Sequence, residues 1–407
     1  MQQPNAILAC FDPPPKLTVA RERGDSISRR HPWVFTQALI RPPQNLPQGL
    51  TVELVDGKGR FAGRGSYNCD SRIAVRMLSY DPDELVTEEL WARRIAEAVG
   101  RRAALATADT DAYRLVFSEN DLLPGLIVDR YGDYVVFQAL SAGASLWRDT
   151  IARALVAMCQ PKGLFERSDG DDRRQHEGLE PTVGTVYGED PPDHLLIHQD
   201  GLSFAVDIRA GHKTGFYLDQ RQNRRAVAAY CQGAEVLNGF SYSGGFGVYA
   251  AAAGASSVVH LDSSGPALEL CRDNVERNGV GGEHEYLCDN AFGALRALRE
   301  AGRMFDVAVL DPPKFASAKA HLDKATRGYK ELNLSALKLL RRGGVLATFS
   351  CSGAMERHLF YRAVAEAAKD AGRDLLVEAE LGHPSDHPTL LSFPEGSYLK
   401  GLIARVV

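Results

Sequence analysis

From Glu235 onward the chain alternates short apolar runs with amphipathic runs of helical spacing. The apolar runs predict strands opening at Glu235 and over 258–262, 284–289, 305–311 and 345–351. The amphipathic runs predict helices over 265–278, 291–301, 322–340 and 354–371. Alternation of this kind predicts an α/β fold, a parallel sheet covered on both faces, with ligands at the carboxyl ends of its strands. A strand over 204–208 and a helix over 222–230 lead into it, and strands over 375–380 and 399–406 complete it as an antiparallel pair.

Upstream the rhythm differs. Segments 16–19, 51–55, 60–67 and 72–78 are short, partly alternating and separated by Gly, Pro, Asn and Asp, the pattern of a small β-barrel. Asp81-Pro82-Asp83 ends it. A helix over 86–105 follows, with Leu90, Trp91, Arg94, Ile95 and Ala98 on one stripe, then strands over 113–117, 126–129 and 134–140 and a helix over 145–158, an α+β arrangement. Residues 1–15, with Pro13-Pro14-Pro15, read as a loose leader, and the charged stretch 167–180 as a mobile loop. The division predicted is 16–80, 81–196 and 197–407.

Composition narrows the class. Of 407 residues, 44% are apolar, ample core for two or three domains. Cysteines 10, 69, 159, 231, 271, 288 and 351 form no Cys-x-x-Cys pair, and the histidines do not cluster. Both facts argue against structural zinc, another metal site or a disulfide framework, and for a reduced cytoplasmic protein. No apolar run reaches membrane-span length, and no signal follows Met1. The net charge of −5 is unevenly placed: up to Tyr80 there are eleven Lys and Arg against six Asp and Glu, so the rest carries −10. A basic amino-terminal piece on an acidic body suits a polyanion. Within it Arg29 and Arg30 precede His31-Pro32-Trp33-Val34-Phe35. The arginines can hold RNA phosphates, while Trp33 and Phe35 fit base stacking or the core.

The candidate chemistry gathers at strand ends. Glu235-Val-Leu-Asn-Gly-Phe-Ser-Tyr-Ser-Gly-Gly245 is a strand turning at once into a helix, with Gly239, Gly244 and Gly245 expected to supply positive φ and close backbone approach. Asp262 ends the next strand 17 residues beyond Gly245, where a carboxylate can hold ribose hydroxyls. Gly-x-Gly-x-x-Gly is absent, which favours S-adenosylmethionine over NAD. Asn238 and Ser241 end the first strand, Asp289 the third, Asp311 the fourth and Cys351 the fifth. Each acidic residue also reads as a helix cap or loop anchor. Asp289 suits the exocyclic amine of an adenine. Asp311-Pro312-Pro313-Lys314-Phe315 predicts a rigid extended loop beside a planar base. A thiolate at Cys351 can attack carbon 6 of a pyrimidine and make carbon 5 nucleophilic, with Asp311 at ring nitrogen 3; as a strand cysteine it also reads as core.

Four motifs in order carry a family resemblance: 211–221 (Gly-His-Lys-Thr-Gly-Phe-Tyr-Leu-Asp-Gln-Arg), 238–246, 311–315 and Phe349-Ser-Cys-Ser-Gly353. Together they resemble the bacterial large-subunit ribosomal RNA cytosine-5 methyltransferases of type I, with 29–35 like the start of that family's PUA domain and Asp386-His387-Pro388 with 395–401 like its carboxyl-terminal signature. The resemblance implies a PUA barrel, a central α+β domain and a Rossmann-like class I methyltransferase domain. It places Phe216, Tyr217, Asp219 and Arg221 beside S-adenosylmethionine, joined by Asn238, Phe240, Ser241, Tyr242, Gly244, Gly245, Asp262, Asp289, Asn290 and Asp311. It makes Cys351 the nucleophile with Asp311 its catalytic companion, and Arg29, Arg30 and Lys314 the RNA contacts. Lys314 stands where other RNA cytosine-5 methyltransferases carry a second cysteine, which leaves the base for the carbon 5 proton unassigned. The partner implied is 23S ribosomal RNA or a large-subunit assembly intermediate, with no membrane and with a homodimer left open. Two alternatives remain: methylation of an exocyclic purine amine without a covalent intermediate, and a catalytically silent RNA-binding assembly factor.

Overall fold

Seven strands form the sheet predicted by the alternation from Glu235. They are β1 (Glu235–Gly239), β2 (Ser257–Asp262), β3 (Glu283–Cys288), β4 (Phe305–Leu310), β5 (Leu340–Ser350), β6 (Leu375–Leu381) and β7 (Lys400–Val406), in the order β3-β2-β1-β4-β5-β7-β6. The first five are parallel, and β7 runs antiparallel to both β5 and β6. Strand order reverses between β1 and β4, so a crevice opens at their carboxyl ends. The computed structural model describes residues 11–20, 25–169, 172–315 and 321–407.

Helices α1 (Arg221–Ala228), α2 (Gly245–Ala252), α3 (Gly265–Asn278), α4 (Ala291–Glu300), α5 (Leu322–Leu337) and α6 (Arg357–Ala371) accompany the sheet. Neighbouring residues of one strand bury on opposite faces, as the pleat requires. Val307 and Val309 join Val236, Val227 of α1 and Phe246 and Ala250 of α2. Ala308 and Leu310 join Leu237, Leu295 of α4, Tyr329 and Leu332 of α5 and Phe360 of α6. Each such valine or leucine contributes roughly 1.5–3 kcal/mol, which is why a strand buried on both faces reads as an unbroken apolar run. Ser264 caps α3 by accepting from Ala267 N at 3.3 Å, with Pro266 in the first turn.

The chain divides into two compact units. The one holding this sheet comprises His198–Ala205, Asp219–Ser385 and Ser397–Val407; the other comprises the chain up to Ile197 with Val206–Leu218 and Asp386–Gly396. Two segments expected in the domain 197–407 therefore belong to the amino-terminal unit.

In that unit Lys16–Thr18, Thr51–Val55, Phe61–Tyr67, Val75–Ser79 and Trp33–Val34 form one five-stranded sheet around Leu17, Val34, Val52, Leu54 and Val75. A second five-stranded sheet, Thr182–Gly188, Gly163–Ser168, Tyr134–Ala139, Leu126–Tyr131 and Ala112–Phe117 in spatial order, buries Tyr113, Val128 and Phe137 with Trp91 and Ile95 of helix Glu88–Arg101 and Ile151 of Arg148–Cys159. The stretch 167–180 is not the expected loop. Arg167 and Ser168 finish a strand, Asp172–His176 is a short helix, and Glu177 is buried, accepting from Ser71 Oγ at 2.7 Å and Arg76 at 2.9 Å. Arg167, Arg174 and Glu177 of this stretch are buried and paired inside the fold, whereas Glu180 is exposed. The leader's first ten residues lie outside those described. Among the described residues no helix is long and apolar enough to cross a membrane.

Candidate active site

β1 ends at Gly239, and the chain turns through Phe240–Gly244 into α2. Left-handed backbone falls on alternate residues of this turn: Phe240 (φ 60°), Tyr242 (φ 46°) and Gly244 (φ 86°). Of the three glycines expected to take positive φ, only Gly244 does. Gly239 and Gly245 are small for packing reasons: a Cβ on Gly239 would meet Leu310 Cδ2 at 3.2 Å, and one on Gly245 would meet Arg224 Nε at 2.6 Å. The turn is tied to the neighbouring strand. Ser241 N donates to Leu261 O at 3.0 Å and Tyr242 N to Asp262 Oδ2 at 2.8 Å, while Asp262 Oδ1 accepts from Ser264 N at 3.0 Å. One carboxylate thus fastens both the turn after β1 and the start of α3. Among the described residues the hydroxyls of Ser241 and Ser243 are buried with no hydrogen-bond partner. Leaving such groups unpaired costs free energy, and a polar ligand at the turn would satisfy them.

The other strand ends follow. Asn238 is buried, its amide nitrogen 3.5 Å from His260 Nδ1 and beneath Gly247 of α2, so its side chain is directed to the helix side of the sheet. Asp289 and Asn290 are exposed just past β3. Asp289 accepts from Asn290 N at 2.6 Å, and Asn290 caps α4 by accepting from Phe292 N at 3.0 Å. Asp311, half-buried, follows β4. Its charge reaches Arg224 of α1, a buried guanidinium that donates to Gln199 Oε1 at 3.0 Å. Burial lowers the pKa of Arg224, and the surrounding Tyr249, Asp219, Asp311 and Asp200 oppose that fall. Asp219 accepts from Tyr398 Oη at 2.6 Å, and Arg221 is buried at the head of α1. Arg224 escaped the sequence reading because one arginine of an amphipathic helix that also carries Arg221 and Arg225 gives no sign of burial.

Cys351 follows β5 directly, half-buried, with Sγ 3.9 Å from Pro312 O of the loop after β4. Ser350 Oγ donates to Tyr329 Oη at 2.9 Å, and Tyr329 Oη lies 3.2 Å from Ser352 Oγ. Burial raises the Tyr329 phenol. Phe315 packs on the Tyr329 ring with centroids 4.7 Å apart, and Lys314 is exposed. On β7, Lys400 pairs in register with Ser350 and is 4% exposed. Its Nζ donates to Ser352 O at 2.7 Å and to Met355 O, and burial pushes the ammonium down to about 8. Sequence reasoning placed Lys400 within a signature and gave it no role. The available signal was a lysine directly before the apolar run Gly401–Ala404.

The remaining predicted residues belong to the amino-terminal unit. Phe216 is buried, its backbone N–H donating to Tyr131 Oη at 3.2 Å. Thr214 Oγ1 donates to Asp129 Oδ2 at 2.6 Å, a carboxylate held by Arg114 through two bonds of 2.8 Å. Tyr217 Oη is 3.1 Å from His212 Nδ1, with Lys213 Nζ 4.5 Å from the Tyr217 ring centroid. Phe216 and Tyr217 fall in the amino-terminal unit, and Asp219 and Arg221 in the other. Arg29 and Arg30 are exposed, Arg30 with its guanidinium 5.8 Å from the Tyr80 ring centroid. Trp33 is half-buried, donating from Nε1 to Glu119 at 2.7 Å with its ring 4.8 Å from Phe393, whereas Phe35 is exposed. Trp33 is thus committed to the fold. Among the described residues no group of three or more His, Cys, Asp or Glu could hold a metal ion.

Comparison with known proteins bears on both units. Residues 175–402 match the family model of S-adenosylmethionine-dependent methyltransferases, and residues 17–80 match that of PUA-like domains. The chain is 46% identical over 394 residues to the ribosomal RNA large subunit methyltransferase I of Shewanella denitrificans, covering 96% of this chain and 98% of that one. It is 47% identical over 393 residues to its Shewanella amazonensis namesake, with the same coverage. Among solved structures, a SAM-dependent methyltransferase from Streptococcus mutans aligns with a TM-score of 0.83 at 23% identity, over 96% of this chain and 100% of that one. A methyltransferase complexed with SAH aligns at 0.85, with the same identity and coverage, so the fold is shared end to end.

Proposed function

The chain belongs to the family of the ribosomal RNA large subunit methyltransferases I, S-adenosylmethionine-dependent enzymes with a PUA-like domain, and on that premise we propose that it methylates carbon 5 of a cytosine in 23S ribosomal RNA through a covalent adduct at Cys351. The observation that carries the proposal is Cys351 at the end of β5 beside the carbonyl of Pro312, next to Asp311 at the end of β4.

The residues at the turn suit the cofactor. The buried hydroxyls of Ser241 and Ser243 lack partners, and Asp262 is already fixed by two backbone amides and keeps further lone pairs for ribose hydroxyls. Phe240, Ser241 and Tyr242, with Gly244 and Gly245 heading α2, form the cradle. Asn238 contributes to it through its backbone, its side chain being turned to His260. Asp289 and Asn290 stand exposed for the adenine, and Asp219 and Arg221 are buried near the crevice. Phe216 and Tyr217 enter the proposal through motif resemblance alone. When bound, S-adenosylmethionine supplies the methyl group.

The rest of the chemistry falls to the chain. The Cys351 thiolate forms a bond to carbon 6 of cytosine, and the electron pair of the 5,6 double bond moves to carbon 5, the site of methylation. Asp311, as the carboxylic acid, donates a hydrogen bond to ring nitrogen 3, stabilising the negative charge that arrives there. The carbon 5 proton then passes to water, its electron pair re-forms the 5,6 double bond, the carbon 6–sulfur bond breaks, and the thiolate reforms. The exposed Arg29, Arg30 and Lys314 contact RNA phosphates, free in the cytoplasm or in an assembling large subunit. The test is incubation with labelled S-adenosylmethionine and undermethylated ribosomal RNA, wild type beside Cys351→Ala, followed by nucleoside analysis. Label in 5-methylcytidine that vanishes with the alanine supports the proposal. Label in a methylated purine, or label indifferent to Cys351, overturns it in favour of direct attack by an exocyclic amine.

A further inference from the structure

Lys400 takes no part in the reaction as derived, yet its ammonium is buried against the loop that carries Cys351. It sits opposite Ser350 in the β5–β7 pair, and its Nζ donates to the carbonyls of Ser352 and Met355. Cys351 is thus bracketed: the residue before it is the cross-strand partner of Lys400, and the residue after it is held by the Lys400 side chain. Removing an ammonium from water costs several kcal/mol, which two bonds to neutral carbonyls offset only in part. A neutral amide or hydroxyl would hold the same carbonyls without that cost, so the charge itself requires a counterpart. The charged and titratable groups acting on Lys400 are Cys351, Glu356 and Arg357. Tyr329 reaches the same loop from α5 through Ser350 and Ser352. The Glu356 side chain is 68% exposed and lies 3.3 Å from His358, and Arg357 adds a second positive charge near the loop. Cys351, in the loop that Lys400 holds, remains as the group whose anion acts on this buried cation.

We propose that Lys400 is a positioning residue for Cys351, holding the loop through the Ser352 and Met355 carbonyls while its positive charge favours the thiolate over the thiol. The proposal rests on Cys351 being the nucleophile. Ionisation sends the thiol proton to solvent and leaves Lys400 charged. When the thiolate commits its electron pair to carbon 6, Lys400 loses its counter-charge, and it regains it when the carbon 6–sulfur bond breaks. The pair therefore favours release of product, and its contribution to attack is the larger fraction of thiolate. Burial alone would lower the ammonium further, and the thiolate opposes that fall, so the coupling is mutual.

The test is the pH dependence of iodoacetamide alkylation at Cys351 in the full-length protein, read by peptide mass spectrometry. The exposed Cys288 serves as internal reference. In Lys400→Met the Cys351 midpoint should rise by about one pH unit, slowing alkylation about tenfold at pH 7. Lys400→Arg, which keeps the charge, should recover part of that loss, and Cys288 should not change. Coincident Cys351 profiles in wild type and Lys400→Met overturn the proposal. If Lys400→Met does not fold, the reciprocal measurement decides. In protein labelled with ε-13C lysine, the Lys400 resonance should titrate at lower pH in Cys351→Ala than in wild type, and equal midpoints overturn the pairing. Retention of 5-methylcytidine formation by Cys351→Ala would instead refute the nucleophile reading and leave both titrations to judge the pair.

Discussion

Gly244 is the one glycine of the turn after β1 that must be glycine for two separate reasons, and Gly244→Ala separates them. Its φ of 86° disfavours any L side chain, and a Cβ there would lie 2.6 Å from Cys271 Sγ and 3.4 Å from Cys271 Cα and Cβ. The left-handed backbone costs about 1–2 kcal/mol for alanine, and overpacking a filled site costs about 1–3 kcal/mol. Together they predict a loss of about 2–5 kcal/mol. Cys271 cannot swing away, being buried on α3 with Sγ 3.2 Å from His260 Nδ1. Cys271→Ala removes the obstructing sulfur but leaves the backbone cost, so the double mutant should be more stable than the sum of the single mutants by about 1–2 kcal/mol. The chain's tryptophans, 33, 91 and 147, all lie in the amino-terminal unit, so their fluorescence reports the wrong half. Native-state hydrogen exchange of the β1 and β2 amides is the suitable assay. Additivity of the two substitutions within about 0.5 kcal/mol would refute the steric argument and leave φ as the sole reason for Gly244.

Three further outcomes are expected. Asp262→Asn turns an amide NH2 group toward one of the two backbone amides the carboxylate now accepts from, at a cost of about 1.5–3 kcal/mol; affinity for S-adenosylhomocysteine should fall about 10–100-fold by calorimetry, and an unchanged Kd would remove Asp262 from the cofactor site. The hydrogen bond that His31 Nε2 donates to Glu395 raises the His31 pKa, so the pair's stabilisation is present below the unfolded value of about 6.5 and is lost as pH rises through the folded one. The urea midpoint of the amino-terminal unit, followed by tryptophan fluorescence, should therefore decline through that window in wild type and decline less in Glu395→Gln; equal slopes would refute the coupling. Arg29→Glu with Arg30→Glu should weaken RNA binding and lower the salt slope by about one for each phosphate no longer neutralised, and unchanged binding would exclude both arginines.

The parallel core was legible because strands buried on both faces carry unbroken apolar runs, as at Val236–Leu237 in β1, Val258–Val259 in β2, Val307–Leu310 in β4 and Val345–Ala347 in β5. The cap of α3 was legible because Ser264 and Pro266 act within their own turn. One local error had a distant cause: left-handed geometry was expected at Gly239 and Gly245 but falls on Phe240 and Tyr242, whose turn is tied to Asp262, a residue of another strand.

The sequence by itself determined the order of elements, the crevice at the strand ends, and the candidate roles of Cys351 and Asp311, since periodicity and turn chemistry act over a few residues. Tertiary structure alone decided the fate of the charges. Glu177 is buried by Asn68, Ser71 and Arg76, about a hundred residues away. Arg224 is enclosed at the head of the sheet, and Lys400 is drawn under the Cys351 loop by carbonyls nearly fifty residues upstream. A charged side chain reads as solvated unless its partners are known, and those partners are supplied by distant parts of the chain.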